Sequence, residues 1–114
     1  NLNSDFVSDF ELKLKAYFNS ELIVDKGLPT ANYFGNKLNM SSNYLSDLLK
    51  KETGKSIKEH IDSYIIRKAK NILLNSNNSI SEIAYGLGFE YPQSFTRMFK
   101  KKTGKSPNEY RMMN

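Results

Sequence analysis

A twelve-residue pattern recurs in this chain. Leu45-Ser46-Asp47-Leu48-Leu49-Lys50-Lys51-Glu52-Thr53-Gly54-Lys55-Ser56 is matched, 50 residues on, by Phe95-Thr96-Arg97-Met98-Phe99-Lys100-Lys101-Lys102-Thr103-Gly104-Lys105-Ser106. Upstream, Gly35, Leu38 and Met40 pair with Ala84, Leu87 and Phe89 at an offset of 49, so the second copy carries one extra residue near Glu90-Tyr91. An echo at fixed spacing signals a duplicated structural unit. In both copies the apolar residues recur at helical spacing. Each copy therefore reads as a short helix, a tight turn and a second amphipathic helix.

The rest of the chain is helical in pattern too, with no strand-like alternation and no low-complexity linker. Phe6, Phe10, Leu14 and Phe18 stand at i, i+4 spacing and predict a first helix over about Phe6–Phe18. The stretch Asp25-Lys26-Gly27-Leu28-Pro29-Thr30 breaks that pattern, and Thr30 can cap a helix over about Ala31–Leu38. Ser41 or Ser42 can cap the next, which runs to about Glu52 and ends at Gly54, a residue suited to a left-handed C-cap. Ser56-Ile57-Lys58-Glu59 has the form of a capping box and opens a long helix to about Leu74. Ser79-Ile80-Ser81-Glu82 and Ser106-Pro107-Asn108-Glu109 repeat that form. They open helices to about Leu87 and at the C-terminus, on either side of a helix over about Pro92–Lys102. The chain thus divides into a first helix and first unit (1–55), a joining helix (56–75) and a second unit with a C-terminal helix (76–114). The fold class is all-α.

A helix-turn-helix needs a small residue where its helices cross, an apolar plug in its turn and a polar outer face on its second helix. Gly35 and Ala84 supply the first, Met40 and Phe89 the second. The outer faces read Asn43, Ser46, Asp47 and Lys50 in one copy, and Gln93, Ser94, Arg97 and Lys101 in the other. Arg and Gln present donors that suit guanine and adenine edges.

Charge agrees with a polyanionic partner. Residues 1–40 hold four lysines against five acids, whereas residues 41–114 hold thirteen bases against seven acids. Cysteine is absent, which excludes disulfides, thiolate zinc sites and thiol catalysis and suits a reducing cytoplasm. No apolar run reaches the ~20 residues of a membrane span, and no signal peptide is visible. Gly54-Lys55-Ser56 and Gly104-Lys105-Ser106 look like the end of a phosphate-binding loop. The required earlier glycine is replaced by Leu49 and Phe99, so they read as a helix C-cap followed by an N-cap. A capped helix N-terminus can still hold a phosphate of DNA. His60 is the only histidine and reads as a surface or partly buried helix residue. Glu52, Glu59, Asp62, Glu82 and Glu109 read as caps and surface pairs. No nucleophile–base constellation is present, and neither enzyme activity, metal nor cofactor is expected.

The chain resembles the DNA-binding domain of AraC/XylS-type transcription regulators. The resemblance rests on Ile80-Ser81-Glu82-Ile83-Ala84-Tyr85-Gly86-Leu87-Gly88-Phe89, on Phe95-Thr96-Arg97-Met98-Phe99-Lys100-Lys101 and on Thr103-Gly104-Lys105-Ser106-Pro107-Asn108-Glu109-Tyr110-Arg111. The first unit, Leu38 to Lys55, is similar to that family's N-terminal half. The resemblance implies about seven helices, two recognition helices entering successive major-groove segments, and a sensor or signalling domain upstream of Asn1. It maps base reading to Asn43, Ser46 and Asp47 in the first unit and to Pro92, Gln93, Ser94 and Arg97 in the second. Asp47 departs from the Arg that members often carry there, and Pro92 offers no side-chain donor. DNA-backbone contacts are expected from Thr30, Ser42, Lys50, Lys55, Ser56, Lys101, Lys105 and Ser106. The implied partner is duplex DNA in a bacterial, nucleoid-associated cytoplasmic setting, with RNA polymerase as a candidate protein partner. A helical module that binds a protein instead is the alternative reading.

Overall fold

The computed structural model describes residues 2–113, with side chains from Asp5 onward. Eight helices follow one another: α1 (Leu2–Phe18), α2 (Leu22–Asp25), α3 (Ala31–Lys37), α4 (Ser42–Thr53), α5 (Ile57–Asn75), α6 (Ile80–Gly86), α7 (Pro92–Thr103) and α8 (Pro107–Met112). No strand occurs among the described residues, and no helix there is long and apolar enough to cross a membrane. The molecule measures 43 × 28 × 21 Å along its principal axes.

The sequence led to about seven helices; the eighth is α2. Its four residues are too few to show a period, and its N-cap residue, Glu21, makes no side-chain cap hydrogen bond. It is held by its surroundings: Ser20 Oγ accepts the Leu22 N–H at 3.2 Å, and Ile23 is buried. The first helix also starts earlier than Phe6, at Leu2.

The core is continuous but has two ends. Phe10, Leu14, Tyr17 and Phe18 of α1 meet α3, α4 and the N-terminal half of α5. Aromatic rings dominate this end: Phe10 stands edge-on to Phe34 at 5.2 Å, Tyr17 edge-on to Tyr33 at 4.9 Å, and Phe18 packs on Tyr64 at 4.7 Å. Such pairs add about 0.5–1.5 kcal/mol beyond the area they bury. At the other end a file of rings, Phe89, Phe95, Phe99 and Tyr110, runs from the α6–α7 turn to α8 at spacings of 5.4, 5.8 and 5.7 Å. Helix α5 passes between the two ends. Its C-terminus is tied to α8 by Arg111, whose guanidinium donates to the carbonyls of Leu73 at 3.0 Å and Ser76 at 3.3 Å.

The internal repeat survives to the level of single atoms. After α3, the Met40 N–H donates to the Gly35 carbonyl at 2.9 Å and Asn39 takes φ 58°. After α6, the Phe89 N–H donates to the Ala84 carbonyl at 3.0 Å and Gly88 takes φ 96°. Both are Schellman closures, in which a left-handed residue turns the chain back to satisfy helix carbonyls. At the end of α4 the Thr53 hydroxyl donates to the Leu49 carbonyl at 2.7 Å; at the end of α7 Thr103 does the same to Phe99 at 2.8 Å. Both helices then stop at a left-handed glycine, Gly54 or Gly104. The extra residue of the second unit lies in the turn: residues 38–41 join α3 to α4, and residues 87–91 join α6 to α7.

Candidate nucleic-acid interface

Each unit packs one short helix against one twelve-residue helix, α3 on α4 and α6 on α7. Leu45 and Leu49 in α4, and Phe95 and Phe99 in α7, point into the core with no exposed surface. Helical geometry then fixes what faces outward. Asn43, Asp47 and Lys50 are exposed on α4, as are Gln93, Arg97 and Lys101 on α7. Among the described residues no carboxylate pairs with Arg97, so its guanidinium is available to a ligand.

Two of the expected readers sit differently. Ser46 is half-buried and lines a groove beside Pro29, Ile57 and Ile61, turned towards α5. Ser94 is also half-buried. It lies with Arg97, Lys101, Lys58 and Asp62 along a groove of about 320 Å³ between α7 and the start of α5. The 50-residue register pairs Ser46 with Thr96 and Ser94 with Tyr44, an exposed residue in the first turn of α4. Tyr44 is thus an outer-helix position, whereas Thr96 is half-buried like Ser46.

The backbone-contact residues divide by what already occupies them. Thr30 is the N-cap of α3, its hydroxyl oxygen accepting the Tyr33 N–H at 3.1 Å. The cap of α4 is Ser41, which accepts from Tyr44 at 3.1 Å; Ser42 is the first residue inside the helix. Ser79 caps α6 at the position matching Thr30, as its capping box predicts, although it is not among the expected DNA-backbone contacts. Ser56 and Ser106 form complete capping boxes. Each Ser N–H donates to a glutamate, Ser56 to Glu59 at 3.0 Å and Ser106 to Glu109 at 2.8 Å. These hydrogen bonds, first from the backbone N–H and then from the serine side chain, hold the Glu59, Glu82 and Glu109 carboxyls below the usual carboxylate range. A carboxylate thus already sits at the N-termini of α5, α6 and α8, where it engages both the backbone N–H and the hydroxyl of its serine. No acid lies in the first turn of α3, α4 or α7. Lys55 and Lys105 are exposed just beyond the glycine caps, and Lys50 lies 3.7 Å from Glu59.

One buried charge binds the interface together. Asp62 of α5 is 7% exposed and accepts from Lys58 at 3.0 Å, with Lys102 of α7 at 3.9 Å. The end of the second outer helix is thereby referenced to the joining helix.

Comparison with known proteins bears on this geometry. A family model described as a helix-turn-helix domain matches residues 34–113. The Bacillus subtilis transcriptional regulator YtdP is 36% identical over 94 residues, covering 82% of this chain and 11% of that protein. The Msm operon regulatory protein of Streptococcus mutans is 38% identical over 80 residues, covering 70% of this chain and 29% of that protein. The chain thus spans under a third of the length of either relative. The C-terminal domain of the two-component response regulator yesN from Fusobacterium nucleatum superposes with a TM-score of 0.83 at 27% identity, covering 94% of this chain and 98% of that one. With two helix-turn-helix units in tandem and a family match over most of its length, this chain belongs to the AraC/XylS-type family of transcription regulators, as a DNA-binding domain.

Proposed function

We propose that this chain binds duplex DNA sequence-specifically to regulate transcription, placing α4 and α7 in successive segments of the major groove. The observation that carries the reading is the duplication itself. Two copies of one helix–turn–helix geometry, alike in their turn and cap hydrogen bonds, are joined by one long helix, and both keep polar outer faces. Helix α5 has 19 residues, so at 1.5 Å per residue it is about 28 Å long. One turn of B-DNA is ~34 Å. A monomer is then expected to read two major-groove segments about one turn apart on one side of the duplex.

The residues assigned to base reading are Asn43, Ser46, Asp47, Gln93, Ser94 and Arg97. The half-burial of Ser46 and Ser94 supports placing Asn43, Asp47, Gln93 and Arg97 foremost among them. Lys50, Lys55, Lys101 and Lys105 are assigned to phosphates, together with Thr30, Ser42, Ser56 and Ser106. In the full-length protein an upstream sensor or signalling domain and a contact with RNA polymerase complete this reading, in a cytoplasmic, nucleoid-associated setting.

Selection of bound sites from a random duplex library, followed by footprinting, tests it. The expected result is a long, non-palindromic site protected by a monomer. Its affinity should fall steeply with salt as counterions are released. A footprint confined to a single half-site of ~5 bp, or binding indifferent to salt, would refute the two-groove arrangement and favour a protein-binding module.

A further inference from the structure

The two units touch at a second place besides α5, and the touching element is α2. Its Ile23 is 5% exposed, and α2 packs against both α1 and α6. On the first-unit side the following loop is pinned: the Tyr17 hydroxyl donates to the Gly27 carbonyl at 2.6 Å. On the other side the loop meets the turn of the second helix-turn-helix. A Cβ placed on Gly88 would stand 2.6 Å from Ile23 Cδ1, 3.2 Å from its Cγ1 and 3.2 Å from the Leu28 nitrogen. A Cβ on Gly27 would lie 3.3 Å from the Gly88 carbonyl oxygen. The matching position in the first unit shows what this contact adds. Asn39 holds the same left-handed place at φ 58°, and it is exposed. The turn alone therefore accepts a side chain; at Gly88 the side of the turn facing Ile23 is already filled.

We propose that α2 is a strut: by seating Ile23 against the Leu87–Gly88–Phe89 turn, it fixes the orientation of α7 relative to α4 and so restricts the chain to one spacing between half-sites. The spacing part rests on the DNA-binding reading above; the orientational part does not. Two units joined only through a helix share one line of attachment. A rotation of about 5° at one end of a helix ~28 Å long carries the other end by about 2.5 Å, close to the whole length of a hydrogen bond. A second contact away from that helix removes this freedom, so less orientational entropy is lost on binding. Tyr17, Ile23 and Gly27 precede residues 34–113, which the family model matches.

The test uses the whole chain with two variants, Ile23→Ala, which removes the strut's contact, and Gly88→Asn, which gives the second turn the residue found at Asn39. The first measurement is of residual dipolar couplings in the free protein. The unaltered chain is expected to fit one alignment frame across both units, and each variant to need two. The second is affinity for the selected operator and for versions with one or two base pairs inserted between its halves. The unaltered chain is expected to lose about tenfold or more on insertion, and the variants about threefold or less, because a mobile second unit keeps its effective concentration over several spacings. A single alignment frame in variants that still melt cooperatively overturns the strut, as does an unchanged spacing profile. Should Ile23→Ala fail to melt cooperatively, Gly88→Asn decides by the same two measurements. Failure of the unaltered chain to bind any duplex would refute the DNA reading, and the alignment frames would still decide the strut's orientational role.

Discussion

The two helix-turn-helix units share a backbone and differ in almost everything that a ligand would touch. Asp47 and Glu52 offset Lys50 and Lys51 in α4, whereas α7 carries Arg97, Lys100, Lys101 and Lys102 with no acid. Helix α4 begins at a serine cap; α7 begins at Tyr91 without a side-chain cap and relies on Pro92, whose fixed φ suits the first helical position. The turns differ by one residue, and that difference reaches the crossing of the helices. A Cβ on Gly35 would lie 2.7 Å from the Met40 carbonyl oxygen and 3.3 Å from the Ser42 nitrogen, while Ala84 carries its methyl fully buried at the same crossing. The shorter turn draws its backbone over the helix; the longer one leaves room for a methyl. Duplication has preserved hydrogen bonds and left side chains free to diverge, so the fold is symmetric and the binding surface is not.

The crossing gives the largest expected effect. Gly35→Ala forces a methyl against backbone, which cannot swing aside, and overpacking of this kind costs about 1–3 kcal/mol. The upper half of that range is expected, seen as a fall of roughly 8–13 °C in melting temperature. Ala84→Gly should cost less, about 1 kcal/mol, through helix propensity and one lost methyl contact. Equal losses at the two sites, measured by thermal or urea denaturation, would show that turn length does not set the space at the crossing.

The outer faces give the next effects. Arg97 is exposed, without a carboxylate partner among the described residues, and its fork can pair with guanine O6 and N7 for ~1–3 kcal/mol of discrimination. Arg97→Ala is expected to relax preference at one base pair. Lys101→Ala should weaken every sequence alike and reduce the salt slope by about one. Titration against a panel of single-base operator variants separates them; an unchanged base profile in Arg97→Ala would remove it from the readers. Asp47→Arg makes the first unit resemble the second at the matching position. It should tighten non-specific binding by roughly two- to tenfold, the scale of one added phosphate contact. Weaker binding, with the fold intact, would mean that Asp47 accepts from a base such as cytosine.

These differences also mark what could be read in advance. Helix ends were legible because each has a local chemical signature: all three capping boxes, Ser56–Glu59, Ser79–Glu82 and Ser106–Glu109, form as their spacing requires. Gly54 takes the left-handed cap expected of it. The outer positions Asn43, Asp47, Gln93 and Arg97 were legible because a buried Leu or Phe at fixed helical distance leaves them no other direction. Helix α2 was not, since four residues carry no period and its reason for existing, the seat of Ile23 beside Gly88, lies 65 residues away. The half-burial of Ser46 was hidden for the same reason: it depends on where α5 passes, which the pattern of α4 does not contain. The occupation of helix N-termini by glutamates was written in the capping boxes, although those serines were first read as open to phosphate.

The smallest expected effect concerns a residue pair that the register aligns across the two units, His60 in α5 and Tyr110 in α8. Both stack edge-on against a buried phenylalanine, His60 on Phe10 at 5.5 Å and Tyr110 on Phe99 at 5.7 Å. Only His60 can change charge near neutral pH. Its Nε2 lies 2.9 Å from the Thr53 oxygen, whose single proton goes to the Leu49 carbonyl, so Nε2 is assigned as the donor. Burial, and then the charge of Lys55, push the imidazole below its usual value of 6.5, against weaker opposition from Glu11 and Glu59. A base whose folded pKa is depressed stays neutral in the native state while the unfolded chain takes up a proton. Its contribution to stability is therefore complete above pH 6.5 and declines as pH falls from there towards the folded value. The first unit should accordingly loosen on mild acidification before the second. Hydrogen exchange below pH 6.5 should show protection falling in α1, α4 and the start of α5 relative to α7 and α8, after correction for intrinsic rates. His60→Tyr, which gives the first unit the second unit's side chain, should abolish that difference between pH 7 and pH 5. The glutamate boxes also lose stability on acidification, but only as pH falls from the usual carboxylate value of 4.5 towards their depressed ones, and they occur in both units. A differential loss between pH 7 and pH 5 that persists in His60→Tyr would leave the histidine without a role in the asymmetry.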